Sequence, residues 1–190
     1  MLRRALASLA VLLAVVLTAG ALAAPAGAAE PVDDYADYQP QKKCSPRAKP
    51  GTEALGRHLV SRYGGAYGGI SRGCTPGSTS EHQGGRAFDW TLDAASKRDR
   101  RTAKAFLRDA FATDRAGNPH ARARRMGIMY VIWDDRIYSA WNEFRPAAYL
   151  SSGCRSRKRC SKTLRHRDHV HVSLSRAGGK GRTSWYDGRL

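Results

Sequence analysis

The sequence predicts one α+β domain, a mostly antiparallel sheet packed against two or three helices. Three observations carry that expectation. Two stretches place apolar residues at helical spacing, four short runs are rich in β-branched and aromatic residues, and glycine, proline or paired aspartates separate them. The first 28 residues are set apart from this pattern. Arg3 and Arg4 precede an apolar run from Leu9 to Ala24, and Ala26-Gly27-Ala28 has the small-x-small form of a cleavage site. That is the anatomy of a secretory signal peptide, and no later stretch has the ~20 apolar residues that a transmembrane anchor needs.

Residues 29–43 lack an apolar period and are expected to form a flexible leader before a domain over 44–176. Pro50-Gly51 reads as a turn and Thr52 as the cap of a helix over Glu53–Tyr63. Leu55, Leu59 and Val60 form its apolar stripe, and Gly64 is placed to end it. Residues 64–81 are a Gly-, Ser- and Thr-rich loop, and Ala87–Leu92 reads as a strand. Asp93 is expected to cap a long helix reaching Ala112, with Ala103, Phe106, Leu107, Ala110 and Phe111 toward the core. The opposite face carries Lys97, Arg98, Arg100, Arg101, Lys104 and Arg108, which a solvated surface explains adequately.

Gly117-Asn118-Pro119 breaks that helix, and a short basic helix is expected over His120–Met126. Ile128–Trp133 and Ile137–Trp141, separated by Asp134-Asp135-Arg136, read as a hairpin. A loop follows over 145–163, then a last strand over His169–Leu174 and a Gly-rich, mobile tail over 177–190.

The full chain carries a formal charge of +17, and loss of Arg3 and Arg4 on export leaves +15. Such a charge favours polyanions, and outside a cell the first candidate is the anionic polymer of a cell wall. A specific nucleic-acid binder is not expected, because no aromatic–basic interleaving or finger spacing accompanies the charge. The cysteines are Cys44, Cys74, Cys154 and Cys160, an even number in an exported chain. Pairing nearest in sequence gives Cys44–Cys74 and Cys154–Cys160. A four-thiolate metal site lacks the close Cys-x-x-Cys spacing it requires.

Four of the six histidines fall in two compact segments, Ser80-Glu81-His82-Gln83-Gly84-Gly85-Arg86-Ala87-Phe88-Asp89 and His166-Arg167-Asp168-His169-Val170-His171. Alternation along a strand turns His169 and His171 to one side and Val170 to the core. Asp89 stands between Phe88 and Trp90, and a carboxylate in apolar surroundings is paired, neutralised or bound to a metal. Two imidazoles and one carboxylate form a ligand set for zinc that leaves a position for water.

The pattern Ser80-x-His82-x-x-Gly85-x-Ala87-x-Asp89 resembles the signature of the zinc peptidases that include D-alanyl-D-alanine carboxypeptidases, D-Ala-D-Ala dipeptidases and murein endopeptidases, to which the hedgehog signalling domain is similar. The resemblance implies that fold, with His82, Asp89 and His171 as zinc ligands. The carboxypeptidase and dipeptidase branches place a glutamate three residues before the last ligand, where this chain has Asp168. The endopeptidase branch reads His-x-x-His-x-His there, which His166, His169 and His171 match. His166 is then the expected general base, Asp168 its reserve, and His169 an orienting or oxyanion-stabilising group. That branch also has a histidine where Thr79 stands here. The implied activity is hydrolysis of peptidoglycan peptides by a secreted, wall-associated monomer. The hedgehog likeness implies an alternative, a zinc-containing wall-binding or signalling module with little turnover. Trp90, Tyr130 and Trp141 are more readily core residues than walls of a cleft, and Arg72 and Arg86 are both candidates for anchoring a substrate.

Overall fold

The computed structural model describes residues 32–190, so the apolar N-terminal segment and its cleavage site lie outside the described residues. The helices are α1 (Pro50–Tyr63), α2 (Lys97–Phe111), α3 (Ala121–Arg125) and α4 (Arg176–Gly179). The strands are β1 (Ala66–Tyr67), β2 (Ala87–Thr91), β3 (Ile128–Trp133), β4 (Arg136–Ser139), β5 (Pro146–Ala148) and β6 (Val170–Leu174). All six join one antiparallel sheet in the order β1-β2-β6-β3-β4-β5. The α+β class expected from the sequence is the one observed.

Alternation gives the central strands two unlike faces. Phe88 and Trp90 of β2, Val170, Val172 and Leu174 of β6, and Val131 and Trp133 of β3 enter the core. There they meet Leu55 and Leu59 of α1 and Ala103, Phe106 and Ala110 of α2. Burying each large apolar side chain contributes roughly 1.5–3 kcal/mol. The other face carries Asp89, Tyr130, His171 and Ser173. The β3–β6 register shifts between Ile128 and Tyr130. At this bulge Met129, whose sulfur meets the Gln39 amide, and Tyr130 both lie away from the core.

Helix boundaries depart from expectation for local reasons. Thr52 does not cap α1: the helix begins at Pro50, whose missing N–H suits the first turn, and Thr52 is buried inside it. Asp93 does not cap α2 either. Its Oδ1 accepts from the Ala95 amide in a turn, and Ser96 caps the helix by accepting from the Asp99 amide. Strands β1 and β5 arise inside stretches read as loops, being two and three residues long and too short to show alternation. His169 lies one residue before β6 rather than within it. The hairpin turn is Asp134-Asp135, both left-handed (φ 46° and 64°), a conformation that short polar side chains tolerate.

Both disulfides form as expected, Cys44–Cys74 and Cys154–Cys160. Among the described residues no helix is long and apolar enough to cross a membrane.

The leader and the tail pack on the domain. The Tyr35 hydroxyl meets His120 Nδ1 at 2.7 Å, and the backbone carbonyl of Asp33 accepts from Arg124. The Asp33 carboxylate accepts from the Ser184 hydroxyl and amide. In the tail, Tyr186 is 2% exposed and its hydroxyl donates to the Met126 carbonyl. The close approach of Gly127 and Gly178, where a Cβ on Gly127 would lie 2.6 Å from the Gly178 Cα, lets α4 sit against the sheet. Gly178, Gly179 and Gly181, read as signs of a mobile tail, serve close packing instead. Tyr186→Ala is therefore expected to lower unfolding stability by about 3 kcal/mol, a buried-aromatic value, in urea denaturation. A change below about 0.5 kcal/mol, typical of an exposed site, would refute tail packing.

Candidate metal centre

Asp89 and His171 are direct cross-strand partners in the β2–β6 register, on the face of the sheet away from the helices. His82 arrives from a 3-10 turn over Glu81–Gly84 that ends at Gly85. Gly85 has φ +65° and a Cβ there would lie 2.0 Å from the Arg47 carbonyl oxygen, so a side chain at this position is excluded twice. The turn aims His82 back over the strand: its Nδ1–H donates to the Ile70 carbonyl at 2.7 Å. A carbonyl only accepts, so the bond fixes the tautomer and leaves the Nε2 lone pair facing inward.

Three ligand atoms converge. His82 Nε2 lies 3.1 Å from Asp89 Oδ1 and 3.2 Å from His171 Nδ1, and His171 Nδ1 lies 3.1 Å from Asp89 Oδ1. Donors about 2.0–2.1 Å from a tetrahedral ion stand roughly 3.3 Å apart, so the triangle has close to the required edges. Its chemistry fits as well. Two corners are acceptors, a carboxylate oxygen and an imidazole lone pair, and at most one corner supplies a proton between neutral rings. A cation shared by all three satisfies them together. These residues could therefore hold a metal ion.

The surroundings hold the triangle in place. His171 Nε2 lies 2.9 Å from Ser173 Oγ, and its ring stacks on Tyr130 at 5.6 Å. Tyr130 donates to Glu81 Oε2 at 2.5 Å, and Glu81 also pairs with Arg86. Burial, and then the charge of Glu81, hold the Tyr130 hydroxyl well above its ordinary pKa, so it stays a donor. Burial alone would raise the Asp89 carboxyl, but its contacts with the His171 and His82 imidazoles outweigh it and hold the group far below the usual carboxylate range. His171 is pushed down by burial, against the pull of Asp89.

The other expected residues stand beside this triangle in distinct positions. Asp168 Oδ1 accepts from His169 Nδ1 at 2.7 Å, and its second oxygen accepts from Thr163 Oγ1 at 2.6 Å. Asp168 thus stands behind His169 and turns the ring so that Nε2 lies 3.5 Å from Asp89 Oδ1. His166 takes a left-handed backbone (φ 50°), fixed by its amide bond to the Thr163 carbonyl and by the Asp134 amide on its own carbonyl. Its Nδ1 is buried without a hydrogen-bond partner among the described residues. Burial, then the neighbouring imidazoles of His171 and His169, push its pKa down to about 3. His166, His169 and His171 also form a looser cluster of ligand atoms.

His82, His166, His169 and His171 line a cleft of about 420 Å³, with Arg72, Tyr38, Tyr130 and Tyr149 among its walls. Arg72 is the one of the two anchoring candidates that reaches the cleft. Arg86 is 5% exposed and directed at Glu81 and the Leu174 and Gln39 carbonyls. Trp90 belongs to the core, Trp141 is exposed beside Tyr130 and Tyr38, and Tyr130 lines the site. Sequence reasoning missed Ser173, Glu81 and Thr163 as supporting residues. Ser173 was open to discovery, since it follows His171 by two on the same strand face. Glu81 and Thr163 had no such signal. Loss of a supporting group at a metal site typically weakens binding by about 10–100-fold. Ser173→Ala is expected to weaken metal binding by about tenfold, read by competition with a chromophoric chelator, without loss of the folded state.

The family described as VldE, C-terminal domain, matches residues 44–157, a span that includes His82 and Asp89 and stops short of His166, His169 and His171. No curated protein matches the chain, and no solved structure does. With the match covering more than half of the 190 residues, the chain belongs to the VldE C-terminal-domain family.

Proposed function

We propose that the chain is an exported zinc-dependent peptidase that hydrolyses peptide bonds of peptidoglycan, as a carboxy- or endopeptidase. The observation that carries this reading is the triangle of His82 Nε2, Asp89 Oδ1 and His171 Nδ1, with edges of 3.1–3.2 Å, whose two imidazoles line a cleft together with those of His166 and His169. The Ser80–Asp89 signature and the His166-x-x-His169-x-His171 spacing support the substrate class by resemblance. Two disulfides and the N-terminal sequence support export.

Zinc bound by these three residues supplies Lewis acidity, polarising an amide carbonyl and lowering the pKa of water. The protein's own groups divide the remaining work. Asp168 holds the Nδ1–H of His169, leaving Nε2 at the cleft floor to take a proton and return it to a leaving amine. His169 thereby takes the base role first expected of His166, and Asp168 orients it. His166, also on the cleft, takes the task of stabilising negative charge on the carbonyl oxygen. Arg72 offers a cation for a peptide carboxylate.

The deciding experiment incubates purified protein with cross-linked muropeptides, with and without EDTA. Turnover that vanishes with chelator and returns with zinc is the expected result, together with one metal per wild-type chain and none in His82→Ala. Bound zinc without product would instead favour the wall-binding or signalling module. Within the active enzyme, His169→Gln is expected to lower kcat by at least about 100-fold, as for a lost general base. His166→Gln is expected to cost less, and Asp168→Asn to lower kcat with little change in KM and none in metal content. Steady-state kinetics on the three variants decides the assignment, and a larger loss in His166→Gln reverses it.

A further inference from the structure

A second groove, of about 520 Å³, lies between α2 and the β3–β4 hairpin. It is lined by Lys97, Arg100, Arg101, Lys104, Leu107, Trp133 and Tyr138. Trp133 belongs to the core face of β3, whereas its neighbour Ile132 lines the metal cleft, so the two concavities use opposite sides of the sheet.

The lining carries four cations and no carboxylate. Positions 97, 100, 101 and 104 fall on one side of a helix and span about 10 Å along its axis. Arg100 donates one N–H to the Ala94 carbonyl, while the side chains of Lys97, Arg101 and Lys104 have no hydrogen bond or ion pair among the described residues. The two acids of α2 are engaged elsewhere: Asp99 accepts from the Asp93 amide, and Asp109 from Tyr63 and Arg108. The neutral polar groups are donors too. Trp133 is 7% exposed, and its indole N–H has no partner among the described residues. Tyr138 is half-buried with a hydroxyl equally without one. Burial raises the Tyr138 pKa, which keeps that hydroxyl protonated.

This arrangement opposes helix stability. Like charges at Lys97/Arg101 and Arg100/Lys104 repel at i,i+4 spacing. The first turn of the 15-residue helix also puts cations at the positive end of its dipole. An anion in the groove relieves both and satisfies the open donors. The length of the stripe fits a chain of anions better than a single one. The aromatic lining does not fit nucleic acid, because Trp133 is too enclosed to offer the exposed ring on which bases stack.

We propose that this groove binds a linear phosphodiester polymer of the cell surface, a polyol phosphate, independently of the metal centre. Phosphate oxygens meet Lys97, Arg101 and Lys104 at the rim, and Trp133 and Tyr138 donate from the floor.

The test is calorimetric titration of the zinc-loaded full chain with short poly(glycerol phosphate) chains at several salt concentrations. Lys97→Gln/Arg101→Gln/Lys104→Gln is expected to lose at least tenfold in affinity and to show a shallower salt dependence, with metal content unchanged and Tm unchanged or raised. Lys42→Gln/Lys43→Gln/Lys180→Gln removes the same charge from a different groove and is expected to change affinity less than twofold. Trp133→Phe, which keeps a ring and removes the N–H, is expected to weaken binding about threefold. Equal losses in the two triple variants would reduce the effect to net charge and overturn the proposal. So would an absence of wild-type binding, or a single-stranded oligonucleotide that binds as tightly through the same three cations. Binding is read without turnover, so its failure and a failure of the peptidase reading are separate results.

Discussion

The pairing of β2 with β6 is the constraint on which the site depends. It sets Asp89 directly opposite His171, so a carboxylate and an imidazole from residues 82 apart in sequence meet within hydrogen-bonding distance. A slip of one residue would turn Asp89 or His171 into the apolar core and bring Phe88 or Val172 out. Phe88, Trp90, Val170 and Val172 hold the register, because each is fully buried on the helix side. Core packing and site geometry are therefore consequences of the same hydrogen-bond ladder.

His82 adds the third corner by a different route. It is on no strand, and its direction comes from a short turn, the left-handed Gly85 and the bond to the Ile70 carbonyl. The leader reinforces this region indirectly. Arg86, between the turn and β2, is clasped by the Gln39 and Leu174 carbonyls and by Glu81, and Glu81 in turn holds Tyr130 against His171. The buried polar groups thus form a connected layer behind the candidate ligands, which resists drift of any one of them.

One sheet serves two unlike neighbourhoods. Its polar face gathers imidazoles and a carboxylate into a cleft, while at the border of its apolar face α2 overhangs the hairpin and leaves a donor-rich groove. Four of the chain's 33 lysines and arginines line that groove, with no carboxylate among them. A cation stripe along a groove directs a polyanion along one path, whereas a uniform charge would only raise its local concentration.

The sequence by itself determined much of this protein. Periodicity placed both long helices, and runs of β-branched and aromatic residues placed the four central strands. The two disulfides followed from sequence proximity, and the resemblance carried by the two histidine segments named the three residues that converge. These features are written in local patterns or in side-chain chemistry that few arrangements satisfy. It did not determine the caps at Lys49 and Ser96, the short edge strands β1 and β5, or the packing of leader and tail, because each depends on what a neighbouring segment offers. The placement of Asp168 behind His169, and the support that Glu81 and Tyr130 give, likewise belonged to tertiary structure alone. Hydrogen bonds between residues far apart in sequence leave no period in the chain, and only the folded sheet decides which donor meets which acceptor.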